Sequence, residues 1–125
     1  MKIAIGAYGP GEQAMIDPRF GRCAYFVFVD TDSGAVDSQP NDGLASAHGA
    51  GVQAAQVVIQ SGADAVIAAR VGPNAFQVLR SAGVRVYQAQ SMSVEEAVAA
   101  LKANRLVEVG QPSGPGHFGG GGRRR

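Results

Sequence analysis

The sequence is poor in the residues that usually reveal a site: it has one cysteine, two histidines and no tryptophan. A single thiol cannot form an internal disulfide, so we expect a reducing, cytoplasmic compartment and a fold held by its hydrophobic core. No apolar run approaches the roughly 20 residues that cross a bilayer. The chain also begins directly with a strand pattern at 1–5, so no leader is expected. These absences predict a soluble protein without membrane contact.

Acidic residues are absent after Glu108, and the chain ends in three arginines. The 125 residues are enough for one domain. The stretch 110–125 contains seven glycines and two prolines. Such a composition buries too little surface to offset an ordering cost of about 1–2 kcal/mol per residue. We therefore predict a folded domain over 1–109, carrying a charge close to −2, and a flexible Gly/Arg-rich tail over 110–125.

The order of secondary structure follows from hydrophobic periodicity and turn residues. The predicted elements are strands at 2–5, 25–29 and 35–39, a helix at 50–60, a strand at 64–69, a helix at 73–82, a strand at 84–87, and a helix that follows Ser93 and ends at Asn104. The strand at 64–69 lacks polar alternation, which is typical of a parallel strand covered on both faces. This order predicts a three-layer α/β/α sandwich with a mixed five-stranded sheet, the ribonuclease H-like motif.

A nuclease is the first activity to test against that strand order. Two-metal phosphodiester hydrolysis needs several carboxylates around two cations about 4 Å apart. The first strand and the helix at 50–60 contain no acid. Asp64 begins its strand, at the end away from the carboxyl edge where α/β sheets usually bind ligands. The sequence therefore argues against this hydrolysis.

Two potential metal ligands lie beside residues that attract anions. Cys23 follows Arg19 and Arg22, and His48 precedes Gly49 and Gly51 at the start of a helix. Thiolate suits iron, zinc or Cu(I), and imidazole suits iron and zinc. Helix N-termini and arginines favour negative charge. We therefore predict an anionic, metal-containing ligand, with His48 and Cys23 as candidate metal ligands.

A third candidate segment joins the buried strand at 64–69 to the next helix. Gly72 permits close backbone approach, Pro73 suits the first helical turn, and Asn74 adds an amide near Arg70. Each candidate also has a purely structural interpretation. Cys23 could be a small buried apolar residue, the arginines could be surface charges, and the glycine segments could be ordinary connections.

Four blocks resemble the dinitrogenase iron-molybdenum cofactor biosynthesis family in order and spacing. They are the stretches 19–26 (RFGRCAYF), 48–55 (HGAGVQAA), 71–76 (VGPNAF) and 93–97 (SVEEA). The likeness covers about 1–109, and the family includes NifX, NafY and the C-terminal domain of NifB. It implies a ribonuclease H-like, nitrogenase accessory factor-like fold without nuclease activity. It also implies binding or carriage of an iron-sulfur cluster or an iron-molybdenum cofactor precursor, with His48 in the block that matches the histidine of cofactor-holding members.

The function we predict is that of a non-catalytic carrier for such a cluster. His48 and Cys23 would ligate metal, and the surrounding groups would balance the charge of the cluster; these are Arg19, Arg22, Gly49, Gly51, Arg70, Gly72 and Asn74. Proteins that donate or accept metal clusters are the expected partners, and the chain would be a monomer or a homodimer.

Three alternatives remain open at this stage. A regulatory or interaction module could bind a small anion or a partner protein without metal at the same edge. An enzyme could use Cys23 as its nucleophile, although no triad spacing supports it. The tail, with His117 and the terminal arginines, could contact nucleic acid, although no RNA-binding signature is present.

Overall fold

The structure is a computed structural model that describes residues 1–42 and 49–110. Its strands are β1 (Lys2–Ala7), β2 (Tyr25–Asp30), β3 (Val36–Pro40), β4 (Ala65–Ala68), β5 (Arg85–Gln88) and β6 (Val107–Glu108). Its helices are α1 (Ala50–Gln60), α2 (Pro73–Ser81) and α3 (Val94–Lys102), with a short 3-10 helix at Phe20–Arg22. Across the two described stretches, no helix has the length and hydrophobicity needed to span a bilayer.

The strands form one mixed sheet in the order β3-β2-β1-β4-β5-β6. Strands β1, β4 and β5 run parallel, whereas β2, β3 and β6 pair antiparallel with their neighbours. The predicted mixed α/β class and the order of the first eight elements are confirmed. The predicted count of five strands is one too few. The sixth strand, β6, has only two residues, both exposed, so hydrophobic periodicity does not reveal it.

Helices cover both faces of this sheet. Helices α1 and α2 pack on one face through Ala54, Val58, Phe76 and Leu79. Helix α3 packs on the other face, where Val94 belongs to a second apolar cluster with β1 residues. The three-layer sandwich follows from these two clusters.

The apolar spacing of 50–60 predicts a buried helix face formed by Val52, Ala55, Val58 and Ile59, and the structure corrects two of these residues. The buried face of α1 is formed by Ala50, Ala54, Ala55 and Val58, and Val52 and Ile59 lie at its margin. Helix α3 begins with a capping box of Ser93 and Glu96, which the pattern Ser-Val-Glu-Glu at 93–96 predicts. It ends at Lys102, and Asn104 follows with a left-handed φ of 63°.

The loop before β2 is fixed against the start of α1. Phe20 is buried and meets Phe26 edge to face, with ring centroids 6.4 Å apart. A Cβ placed on Gly21 would lie 2.6 Å from the backbone nitrogen of Gly51 and 2.8 Å from the carbonyl carbon of Ala50. Only glycine permits this backbone contact, which brings 18–22 to the N-terminus of α1.

Replacing Gly21 should therefore destabilise the fold. We expect Gly21→Ala to lower the free energy of unfolding by about 1–3 kcal/mol, because the added methyl overlaps backbone atoms that cannot move independently. Gly9→Ala is the matched control, since a Cβ there meets nothing within 4 Å. Urea unfolding measures both variants, and equal free energies of unfolding would contradict the close contact.

Candidate functional site

A cleft of about 710 Å³ opens at the carboxyl edge of the parallel strands. Its walls come from the segment 18–22, from the first turns of α1 and α2, and from residues that follow β4 and β5. These segments converge because β2 enters the sheet at the edge where β4 and β5 end. The cleft therefore occupies the place where open α/β sheets usually bind ligands.

The structure brings all seven of the predicted ligand-contacting residues to this cleft. Those that line it are Arg19, Arg22, Gly49, Gly51, Arg70, Gly72 and Asn74. Their common location is a finding of the structure, whereas their role in binding stays a prediction.

The cleft is basic although the domain around it is not. Arg19, Arg22 and Arg70 line the cleft with exposed side chains. No acidic residue is among the described residues that form its walls. Residues 1–109 carry eight lysines and arginines against ten acids. Three of those eight positive side chains thus meet at one site, which favours an anion.

The N-termini of α1 and α2 add polarised amide groups to the same cleft. Gly49 caps α1 with a left-handed φ of 74°, and Gly72 caps α2 in an extended conformation. Neither glycine has a side chain that could accept a hydrogen bond from the first amides of its helix. The two first turns lie side by side, since a Cβ on Gly51 would be 3.4 Å from the Cβ of Ala75. The first amides of a helix have no intrahelical acceptor. Both helices therefore present N–H groups and a partial positive charge to the cleft.

Arg19 is held by an acidic residue, Asp17, that the sequence alone does not single out. Its Nε and Nη2 donate hydrogen bonds to Asp17 at 3.1 and 3.0 Å, and its backbone N–H donates to Asp17 at 2.9 Å. These hydrogen bonds and the charge of Asp17 raise the pKa of Arg19. The guanidinium is a permanent cation at one wall of the cleft.

Cys23 is not brought to the cleft. Its side chain is buried and packs near Gly6, and Asn41 Nδ2 lies 3.8 Å from its Sγ. Burial, followed by the charge of Asp17, raises the pKa of the thiol to about 12. A buried neutral thiol is a poor metal ligand, because the thiolate is the ligating form. The predicted ligand role of Cys23 therefore gains no support from its surroundings.

His48 falls outside the described residues, so its predicted role as a metal ligand rests on the sequence alone. The residue that follows it, Gly49, lines the cleft. Within 1–42 and 49–110 there is no group of three or more histidine, cysteine, aspartate or glutamate side chains that could hold a metal ion. The described part of the cleft is thus suited to hold an anion by charge and hydrogen bonds.

Three residues of the site were missed by sequence reasoning. Besides Asp17, these are Asn41, whose Nδ2 donates to the backbone oxygens of Cys23 at 2.9 Å and Gly21 at 3.2 Å, and Gln90, which lines the cleft after β5. Asn41 follows Pro40 and looks like a turn residue in the sequence. Only Gln90 had a usable signal, since it follows a strand that ends at the carboxyl edge.

The mixed sheet, the three helices and the basic rim define a ribonuclease H-like α/β protein whose sheet edge carries arginines and helix N-termini. The family model for the dinitrogenase iron-molybdenum cofactor matches residues 1–104. The chain belongs to this family, as the four sequence blocks indicated.

Solved structures and a curated relative agree with this membership. The chain is 39% identical to the orange protein of Desulfovibrio gigas, solved in its apo form, with a TM-score of 0.87 over 90% of this chain and 96% of that one. It is 37% identical to a Thermotoga protein assigned as a NifB protein, with a TM-score of 0.80 over 92% and 98% of the two chains. An uncharacterised protein of Methanocaldococcus jannaschii is 29% identical over 109 residues, which cover 85% of this chain and 89% of that protein.

The environment of Cys23 predicts a loss of stability at high pH. In the unfolded chain the thiol ionises near its ordinary pKa of 9.0, whereas the folded protein keeps the proton until about pH 12. The contribution of the buried Cys23 thiol to the free energy of unfolding is therefore fully present below pH 9.0 and is lost as the pH rises towards 12. The slope should approach about 1.4 kcal/mol per pH unit.

Urea unfolding of the parent and of Cys23→Ala over this alkaline range isolates the effect from other titrating groups. The gap between the two free energies of unfolding should narrow as the pH rises. Parallel pH profiles would show that the thiol of the folded protein ionises normally.

Proposed function

We propose that this protein binds and carries an anionic metal-sulfur group, an iron-sulfur cluster or an iron-molybdenum cofactor precursor, in the basic cleft. The observation that carries the proposal is the meeting of three arginines and two helix N-termini in a cleft without an acidic wall residue among those described. Such groups stabilise negative charge spread over sulfide and carboxylate atoms. The volume of about 710 Å³ also falls within the roughly 300–1,000 Å³ of common ligand sites.

The group is cargo in this proposal, and the protein is not a catalyst. Membership of the dinitrogenase iron-molybdenum cofactor family supports the binding of such a group. The orange protein was solved in an apo form, a term used for a protein that also exists with a bound group. Donor and acceptor proteins for the cluster would be the partners, and the cytoplasm would be the compartment.

Within the cleft, the proposed roles divide between charge and coordination. Arg19, Arg22 and Arg70 would neutralise the cargo, and the first amides of α1 and α2 would donate hydrogen bonds to it. His48, next to Gly49, would supply a metal ligand. A role for Cys23 would require the loop before β2 to open and the thiol to lose its proton, so we assign the coordination to His48.

A second candidate is an interaction module that binds a small anion without metal. The lack of a three-residue metal-ligand group in the described residues favours it. Anaerobic purification and reconstitution with ferrous iron and sulfide, followed by assays of protein-bound iron and acid-labile sulfide, separate the two functions. Uptake of both elements supports the carrier, and uptake of neither supports the metal-free module.

Removal of a cleft arginine should weaken the reconstituted complex. We expect Arg22→Gln and Arg70→Gln each to raise the dissociation constant of the cluster about tenfold, since a charge-assisted hydrogen bond contributes about 1.5–3 kcal/mol. Arg105→Gln removes the same charge outside the cleft lining and serves as the control. If all three variants lose the same affinity for the cluster, bulk charge and not the cleft accounts for binding.

The two histidines allow a matched test of coordination. His48→Ala should lose most cluster affinity, because it removes the proposed metal ligand, while its thermal unfolding midpoint stays close to that of the parent. His117→Ala removes the other imidazole of the chain and should bind normally. Parent-like retention of the cluster by His48→Ala would show that this histidine is not a ligand.

A further inference from the structure

Asp17 is a buried carboxylate beside a binding cleft whose walls contain arginine. Its side chain is 0% exposed, whereas the side chain of Arg19 is 62% exposed. Burial of a charged carboxylate is costly unless hydrogen bonds and a counter-charge compensate it. Arg19 provides both, with two side-chain donors and one backbone donor.

The backbone fixes the carboxylate relative to the sheet. The N–H of Asp17 donates to the carbonyl of Gly6 in β1 at 3.0 Å, and the preceding Ile16 donates to the carbonyl of Met92 at 3.0 Å. Both carbonyls belong to the sheet or to the connection that leads into α3. Asp17 is therefore a rigid point from which Arg19 extends to the cleft.

Pairing with Asp17 leaves part of the guanidinium available. Of the five N–H donors of a guanidinium, Asp17 accepts from the Nε donor and from Nη2. The bonds to Asp17 do not use the remaining donors, and Arg19 lines the cleft. A free arginine side chain must lose rotamer entropy to bind in one geometry, and the ion pair removes much of that cost before a ligand arrives.

We propose that Asp17 is a positioning residue, which orients the Arg19 guanidinium for anion binding in the cleft. The inference rests on the proposed function only in requiring that the cleft binds an anion, with or without metal. It assigns a binding role to a negatively charged residue that cannot itself attract the ligand.

A positioning role and a purely electrostatic role of Asp17 predict opposite changes in the affinity of the cleft for an anion. Removal of a negative charge next to the cleft should strengthen anion binding if Asp17 acted only through its charge. Loss of a positioning residue should weaken binding, because Arg19 keeps its charge but loses its orientation.

The test uses hexacyanocobaltate(III), a redox-inert trianion, in isothermal titration calorimetry of the full chain at low ionic strength. Asp17→Asn should bind the trianion about fivefold more weakly than the parent, and Arg19→Gln about tenfold more weakly. In the Arg19→Gln background, Asp17→Asn should cause no further weakening, since no guanidinium is left to orient. A merely structural role of Asp17 would weaken binding equally in both backgrounds.

Tighter or unchanged binding by Asp17→Asn would overturn the proposal, and so would an equal loss in the two backgrounds. If Asp17→Asn fails to fold, Arg19→Lys provides the test, because lysine keeps the positive charge but cannot form the paired hydrogen bonds with Asp17. Arg19→Lys should bind the trianion about fivefold more weakly than the parent. Parent-like affinity would overturn the proposal. Absence of trianion binding by the parent would also overturn it. Iron and sulfide uptake, measured separately, decides the proposed function.

Discussion

The close contact between the backbones of Gly21 and the first turn of α1 is the constraint on which the cleft depends. This contact places Arg19 and Arg22 on one wall and the amides of α1 on the next. Two further residues fix this loop. The ring of Phe20 packs against Phe26, and Asn41 donates hydrogen bonds to the backbone oxygens of Gly21 and Cys23.

The two ends of β1 present different polar groups, and this difference supports the proposed function. At the amino end, Asp64 accepts a hydrogen bond from the N–H of Lys2 at 2.8 Å, and Asp32 pairs with the terminal amine at 2.9 Å. At the carboxyl end lies the arginine-lined cleft. A ribonuclease H-like sheet with carboxylates at this rim would hold cations. With guanidinium and amide groups in their place, the same rim favours an electron-rich anion.

Sequence reasoning located the site because topology determines where loops meet. The stretches around Arg22, Gly51 and Gly72 were each selected separately, and parallel strands bring their carboxyl ends to one edge. Burial was harder to predict. Cys23 follows an exposed arginine, and spacing alone does not show that its thiol turns into the core. Asp17 was missed because a buried carboxylate depends on tertiary hydrogen bonds, which leave no periodic signal.

The central claim is that the cleft formed by 18–22 and the starts of α1 and α2 is where the anionic cargo binds. The most direct measurement compares the amide nitrogen and proton NMR shifts of the parent before and after anaerobic reconstitution with iron and sulfide. The account predicts shifts or broadening concentrated at the first-turn amides of α1 and α2 and at the amides of 19–22. Changes confined to other surfaces, or an unchanged spectrum in iron-loaded protein, would contradict it.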